Sequence, residues 1–295
     1  MRGYFNENNF GFHLLNGVSI NQGRKRADAY IAREEVPFEK FETIFGPEVI
    51  RADKAYVANC DEHFKKGEKI DEYGSDSSRV LEAIFHLMAK KGLMNKANDI
   101  KPIKTNKYDD YHGIDEIFQI INPETSEEKM SMAIDVLSVG GGPLNVGIEK
   151  KMNKIQHDIS SNHLPIVKYF FDEKTGKVGI SDIPKVVIAA DLKTIEDLNE
   201  LWMERNIPEI VKHPLQIQIF EQIIEQAAAF SSFAKRNGRN EIAEKYDTVR
   251  MWAKKKISET SKYVRTDWND NAFPVISNAL YPFKDSKNFK SLEQH

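Results

Sequence analysis

Apolar positions recur along the chain at helical and strand periods, and the changes between the two mark its elements. Through residues 1–75 the pattern is short-lived. Asn16-Gly17 signals a turn, and 27–34 and 38–45 read as short helices. Asp76, Ser77 and Ser78 then offer N-cap side chains. Val80, Leu81, Ile84, Phe85, Leu87 and Met88 follow as a broad apolar helix face, ended by Lys90, Lys91 and Gly92. Three strands follow, at 100–105, 113–121 and 130–139, with 122–128 a hairpin loop between the last two. The third is apolar on both faces, as a central strand must be.

After Gly140-Gly141-Gly142-Pro143, the positions Ile148, Met152, Ile155 and Ile159 predict a helix over 146–160. Strands are expected at 166–171 and at 186–190, with a turn at 174–177 between them and Asp191 closing the second. A helix over 192–205 takes Thr194 as its N-cap. Helices at 215–234 and 240–263 complete the pattern. Beyond residue 266 the chain carries Trp268, Phe273, Tyr281, Phe283 and Phe289 without periodicity, as a tail draped over the fold would.

This order gives an α/β class. The expected organisation is an arm or cap at 1–75, an α/β core at 76–205, a helical extension at 206–265 and the tail at 266–295. A length of 295 residues suits one large domain or a core with extensions. No run of eighteen apolar residues suggests a membrane span, and the first residues do not resemble a signal peptide. Cys60 is the single cysteine, so no internal disulfide forms, and a reducing, cytoplasmic setting is expected.

The candidate chemistry lies in the carboxylates. Asp135 sits inside an apolar strand, flanked by Ala133, Ile134, Val136 and Leu137. A buried bare carboxylate is costly unless paired or bound to a cation. Asp115 lies at the start of the neighbouring strand, so the two acids converge at one sheet end, and Glu82 lies on the preceding helix. Oxygen donors of this kind hold magnesium, which activates water and stabilises charge on a phosphate.

The order of a helix bearing Glu82, a strand with Gly113-Ile114-Asp115, a hairpin, a strand with Ala133-Ile134-Asp135-Val136 and a lysine-rich helix resembles the core of the PD-(D/E)XK nuclease superfamily, the restriction-endonuclease-like fold. The resemblance spans 77–171 and implies an αβββαβ core with a helical C-terminal extension. It implies hydrolysis of phosphodiester bonds in DNA or RNA, with Mg2+ or Mn2+ held by Asp115 and Asp135 and assisted by Glu82. This sequence has Ile114 where the family has proline, and Leu137 where the family's lysine stands. In some members that lysine has moved to the following helix. Lys150, Lys151 and Lys154 are then the candidates, with Lys151 the first choice for orienting the attacking water. His112, beside the first acid, is a further phosphate or metal contact, or a surface residue, and Asp109 and Asp110 nearby read as solvated loop acids.

The net charge of −3 does not mark a nucleic-acid binder, but residues 235–265 hold ten basic side chains against four acids. Arg250, Lys254 and Lys255, with Lys150 and Lys154, are the expected phosphate contacts. The alternative for such a run is a solvated helix face. Two other readings stand beside the nuclease. One is a nuclease-fold module that binds nucleic acid or protein without cutting, with Trp252 as a base-stacking residue. The other is an enzyme similar to S-adenosylmethionine-dependent methyltransferases, with glycines 140–142 cradling the ligand and Asp172 or Glu173 holding a ribose. Ile217, Phe220, Ile224, Phe230 and Phe233 read as helix-packing core, or as a homodimer face.

Overall fold

The computed structural model describes residues 7–67, 72–140, 146–264 and 270–284. The chain begins with α1 (Glu7–Glu34), α2 (Glu42–Phe45), α3 (Pro47–Gly67) and α4 (Glu72–Lys91). It continues through β1 (Ile100–Lys104), α5 (Lys107–Tyr111), β2 (Glu116–Ile121), β3 (Glu128–Val139) and α6 (Val146–Ser160). Then come β4 (Val167–Phe171), β5 (Val178–Ile180), β6 (Lys185–Asp191), α7 (Leu192–Met203), α8 (Ile207–Ile210), α9 (Leu215–Arg236), α10 (Asn240–Thr260) and α11 (Ala272–Ala279). The architecture is mixed α/β, built on a four-stranded sheet of order β1-β2-β3-β6.

In this sheet β2 is antiparallel to β1 and β3, while β6 runs parallel to β3 from Ala133↔Lys185 to Val139↔Asp191. The parallel pairing needs a crossover, which α6 and the β4–β5 hairpin supply. α4 packs across β1 and β3, with α1 and α7 against it, and α9 packs along β6 and carries α10. Ile84, Phe85 and Met88 of α4 meet Phe118, Met132 and Ile134 in one continuous core, to which α1 adds Ile20, Ala27 and Ile31.

Several expectations change. The short helix expected at 27–34 is the end of the 28-residue α1, and α3 has no counterpart in the sequence reading. Asp76, Ser77 and Ser78 do not cap α4 but lie inside it, since the helix starts at Glu72. They serve tertiary contacts instead: Asp76 accepts from Arg24 at 2.6 Å, and Ser78 Oγ accepts from the Ser138 amide at 2.8 Å. The strand expected at 166–171 pairs only with β5, outside the four-stranded sheet, so β6 is the strand beside β3. Asp191, not Thr194, caps α7: its carboxylate accepts from the Thr194 amide at 2.8 Å. The tail forms α11, and Phe283 beyond it is buried against Phe230 and Phe233.

The outer edge of β6 is closed by side chains. Gln226 accepts from the Val187 N–H at 2.8 Å and donates to its carbonyl at 2.7 Å. Gln222 does the same for Ala189, at 2.9 and 2.8 Å. The spacing works because four residues of helix rise about 6 Å and two residues of strand about 6.6 Å. The Tyr246 hydroxyl meets both the N–H and the carbonyl of Lys185 at 3.3 Å, and Asp270 accepts from Asp191 N–H at 2.9 Å. On the opposite edge, Asn95 bonds both backbone groups of Ile100, and Pro102 has no donor to leave open.

Replacing Gln226 by Leu keeps the volume but strands the amide and carbonyl of Val187 in the interior. The expected cost is about 2–4 kcal/mol, from two orphaned backbone groups. Urea unfolding would show it as a lower midpoint with an unchanged slope.

Candidate functional site

Asp115 is placed by the backbone around it. α5 is capped by Asn106, whose side chain accepts from the Tyr108 amide at 2.9 Å. Gly113 then turns the chain with φ of +81°. A Cβ at Gly113 would lie 2.9 Å from Lys185 Nζ and 3.0 Å from Asp135 Oδ2, so space and backbone conformation both require glycine there. The Asp115 amide donates to Ile134 O at 2.9 Å, extending the β2–β3 ladder by one step. Its carbonyl accepts from Lys104 Nζ and from Thr105 Oγ1. Its carboxylate accepts from the Val136 amide at 2.6 Å.

The other acids of the sheet end arrive on separate elements. Glu82, on α4, is 2.5 Å from Lys104 Nζ and 2.8 Å from Arg79 Nη1. Asp135, in β3, is paired with Lys151 of α6 and, at 2.8 Å, with Lys185 of β6. Asp110, on α5, stands 3.5 Å from Arg79. Among the described residues Asp115 forms no ion pair, although it lies among these acids. One oxygen each from Glu82, Asp110 and Asp115 lies within 4.8 Å of the others, which suits a single cation.

The titration of the four acids follows from this unequal pairing. Burial pushes the Glu82 carboxyl up, but Lys104 and Arg79 outweigh it and hold it below the usual range. Burial is likewise overcome at Asp135 by Lys185 and Lys151. Asp115 is pushed well above the carboxylate range by burial, with Asp135, Asp110 and Glu82 adding repulsion. Asp110 is raised by burial and by Glu82. The cluster therefore holds two well-compensated carboxylates, Asp110 with a long contact to Arg79, and Asp115 with no ion pair among the described residues.

The sequence-predicted site residues divide accordingly. Glu82 and Asp115 share the cation-sized cluster with Asp110, while Asp135 turns to the lysines. Of the three lysine candidates, Lys151 reaches Asp135; Lys154 donates to His112 O at 2.9 Å, and Lys150 is exposed. Asp109 and Asp110 are not solvated loop acids, as an Asp-Asp pair between strands suggests. Asp109 is buried and accepts from the Lys168 and Tyr169 amides at 2.9 and 3.0 Å, and Asp110 faces the cluster. Lys104 and Lys185 went unread. Their signal is a lysine at a strand end: Lys104 closes β1 and Lys185 opens the apolar β6.

The basic run at 235–265 is partly neutralised. Arg250 pairs with Asp247 at 3.3 Å and Lys255 with Glu259 at 3.6 Å, while Lys256 is buried on Asp99 at 2.8 Å; Lys254 is exposed. Trp252 packs edge-on against Phe220, as core. Residues 141–143 of the glycine-rich turn lie outside the described residues. Asp172 holds the β4–β5 turn by accepting from Thr175 and Lys174, outside the four-stranded sheet. No helix among the described residues is long and apolar enough to cross a membrane.

A carboxyl whose folded pKa lies above its unfolded value binds its proton more tightly in the native state. At Asp115 stability is therefore greatest when the group is protonated, and it falls as pH rises from about 3.9 through the raised folded value. Asp115→Asn keeps an acceptor for Val136 and removes the repulsion. The variant is expected to melt higher than the wild type at pH 8, with the gap closing towards pH 4, in thermal unfolding followed by circular dichroism.

Comparison with family models, curated proteins and solved structures finds no match to this chain. What the cluster does is read from its own chemistry.

Proposed function

We propose that the chain is a metal-dependent nuclease, hydrolysing phosphodiester bonds of nucleic acid. The observation that carries this reading is the pair Asp110 and Asp115. Both are raised in pKa, Asp110 shares Arg79 with Glu82 at 3.5 Å, Asp115 has no ion pair among the described residues, and they stand with Glu82 within 4.8 Å at the end of the sheet. A set made only of carboxylate oxygens suits a hard divalent ion such as Mg2+ or Mn2+. Such an ion lowers the pKa of a bound water and stabilises charge on a scissile phosphate. The order α4, β1, β2, β3, α6, β6, with α5 inserted after β1 and the β4–β5 hairpin after α6, resembles the αβββαβ core of PD-(D/E)XK nucleases and supports the reading.

The chain's own residues take separate parts. Glu82, Asp110 and Asp115 would hold the ion. Lys151 keeps its proton, because Asp135 and Asp115 outweigh the desolvation that would strip it. It therefore acts as a hydrogen-bond donor and cation towards water or phosphate, not as a base. Lys151 is the lysine a substrate can touch: its side chain is 32% exposed, against 3% for Lys185. Asp135, ionised between the two, positions Lys151.

Metal-dependent cleavage of mixed DNA and RNA substrates tests this. Wild type is expected to cut with Mg2+ or Mn2+ and not with chelator. Asp115→Asn is expected to lose both metal binding, read by calorimetry, and cleavage. Asp135→Asn is expected to bind metal yet cut about a hundredfold more slowly, the usual cost of losing one oriented donor. If the wild type cuts neither DNA nor RNA with either metal, the site is a salt-bridge network within a binding module. The full pairing of Glu82 and Asp135 favours that second reading.

A further inference from the structure

Beside the acid cluster, on the other flank of α5, lies a cleft of about 400 Å³ between α2, α5 and the β4–β5 hairpin. Its walls include Phe45, Tyr108, His112, Ile166 and Lys168. Tyr108, His112 and Tyr56 form a cluster of mutually tilted rings. His112 lies 4.5 Å from Tyr108 at 33° between planes, and Tyr56, at the rim, lies 5.4 Å from His112 and 5.5 Å from Tyr108. His112 and Tyr56 are solvent-facing, Tyr56 being 41% exposed, while Tyr108 is half-buried. Ile166, at 64%, is the most exposed of the apolar side chains in the hairpin, and it faces the same cleft. Large apolar groups left open around one concavity mark a place where something binds.

We infer that this cleft is a subsite for an unpaired nucleobase, so that the strand offered to the acid cluster is single-stranded. The inference rests on the reading of the cluster as a phosphodiester site. Three observations choose this occupant over an apolar peptide. The exposed rings of His112 and Tyr56 offer π faces, on which any base stacks. The lysines flanking them suit a polyanion: Lys154 donates to His112 O, with exposed Lys150 one turn earlier on α6, while Lys168, 5.0 Å from the Tyr108 ring centroid, is paired with Asp53. The third is continuity. Asp110 faces the acids while Tyr108 and His112, two residues to either side, line the cleft, so a phosphate and a neighbouring base can occupy both places at once.

Fluorescence anisotropy in chelator separates this subsite from the metal chemistry. The probes are a short dye-labelled oligothymidine and an abasic phosphodiester strand of the same length. Wild type is expected to bind the base-bearing strand about tenfold more tightly, the scale of one stacked base. Tyr56→Leu and His112→Leu, at exposed positions with folding checked by circular dichroism, are expected to erase most of that difference without changing affinity for the abasic strand. Tyr56→Phe is expected to keep it. Equal affinity of wild type for the two strands, no binding of either, or indifference to both Leu variants overturns the proposal, and the last two outcomes would leave the cleft to a protein partner. If the stacking pattern is found but cleavage is absent, or survives Asp115→Asn, the acid-cluster reading fails while the base subsite stands.

Discussion

Burying a carboxylate inside an apolar strand is the constraint on which the rest of this structure depends. Asp135 lies in the middle of the sheet, and an uncompensated charge there would cost several kcal/mol. Its lysines come from two different elements, β6 and α6. The requirement therefore does more than neutralise a charge. It fixes which strand lies beside β3, where the crossover helix returns, and why Gly113 must have no side chain. Glu82 does the same on the other side, joining α4 to β1 through Lys104. Hydrophobic burial is non-directional and would accept many arrangements of these elements; the ion pairs select one.

Asp110 and Asp115 break that rule. They are as crowded as their neighbours, yet their nearest cations are already engaged by Glu82. A fold selected only for stability would have an amide or an apolar side chain at Asp115. Local disagreement of this kind, embedded in an otherwise consistent structure, is where function is expected to sit. Its cost is carried by the well-paired acids on either side.

Much of the core was legible in the sequence because period alone encodes it. The apolar stripe of α4 and the apolar runs of β2 and β3 place Glu82, Asp115 and Asp135 near one another, and Lys151 lies beside the apolar positions 148, 152 and 155 of α6. Period does not encode partners. The segments at 166–171 and 186–190 read equally as strands, and the choice of β6 for the sheet is made by Lys185 and by its sealed edge. Asp110 was missed because an Asp-Asp pair before a glycine looks like a solvated turn. Gln222 and Gln226 look in the sequence like polar interruptions in an apolar helix, although their spacing of four matches two residues of strand. At 76–78 a local signal was real but was used elsewhere: the polar side chains that suggest a cap are spent on Arg24 and Ser138.

The sealed edge and the acid cluster are one system, because Lys185 belongs to both. Its backbone is held by Tyr246 of α10 at the outer edge of β6, while its side chain reaches inward to Asp135. α9 fixes the next two outward-facing residues of the same strand through Gln226 and Gln222. The helices that follow the sheet in sequence thus set the position of a strand whose first residue helps hold Asp135 ionised and Lys151 in place. A helical extension that merely decorated the core would leave that edge open to solvent or to another chain. Here its polar side chains complete the hydrogen bonding of β6, so the C-terminal half of the molecule is part of the machinery that orients the site.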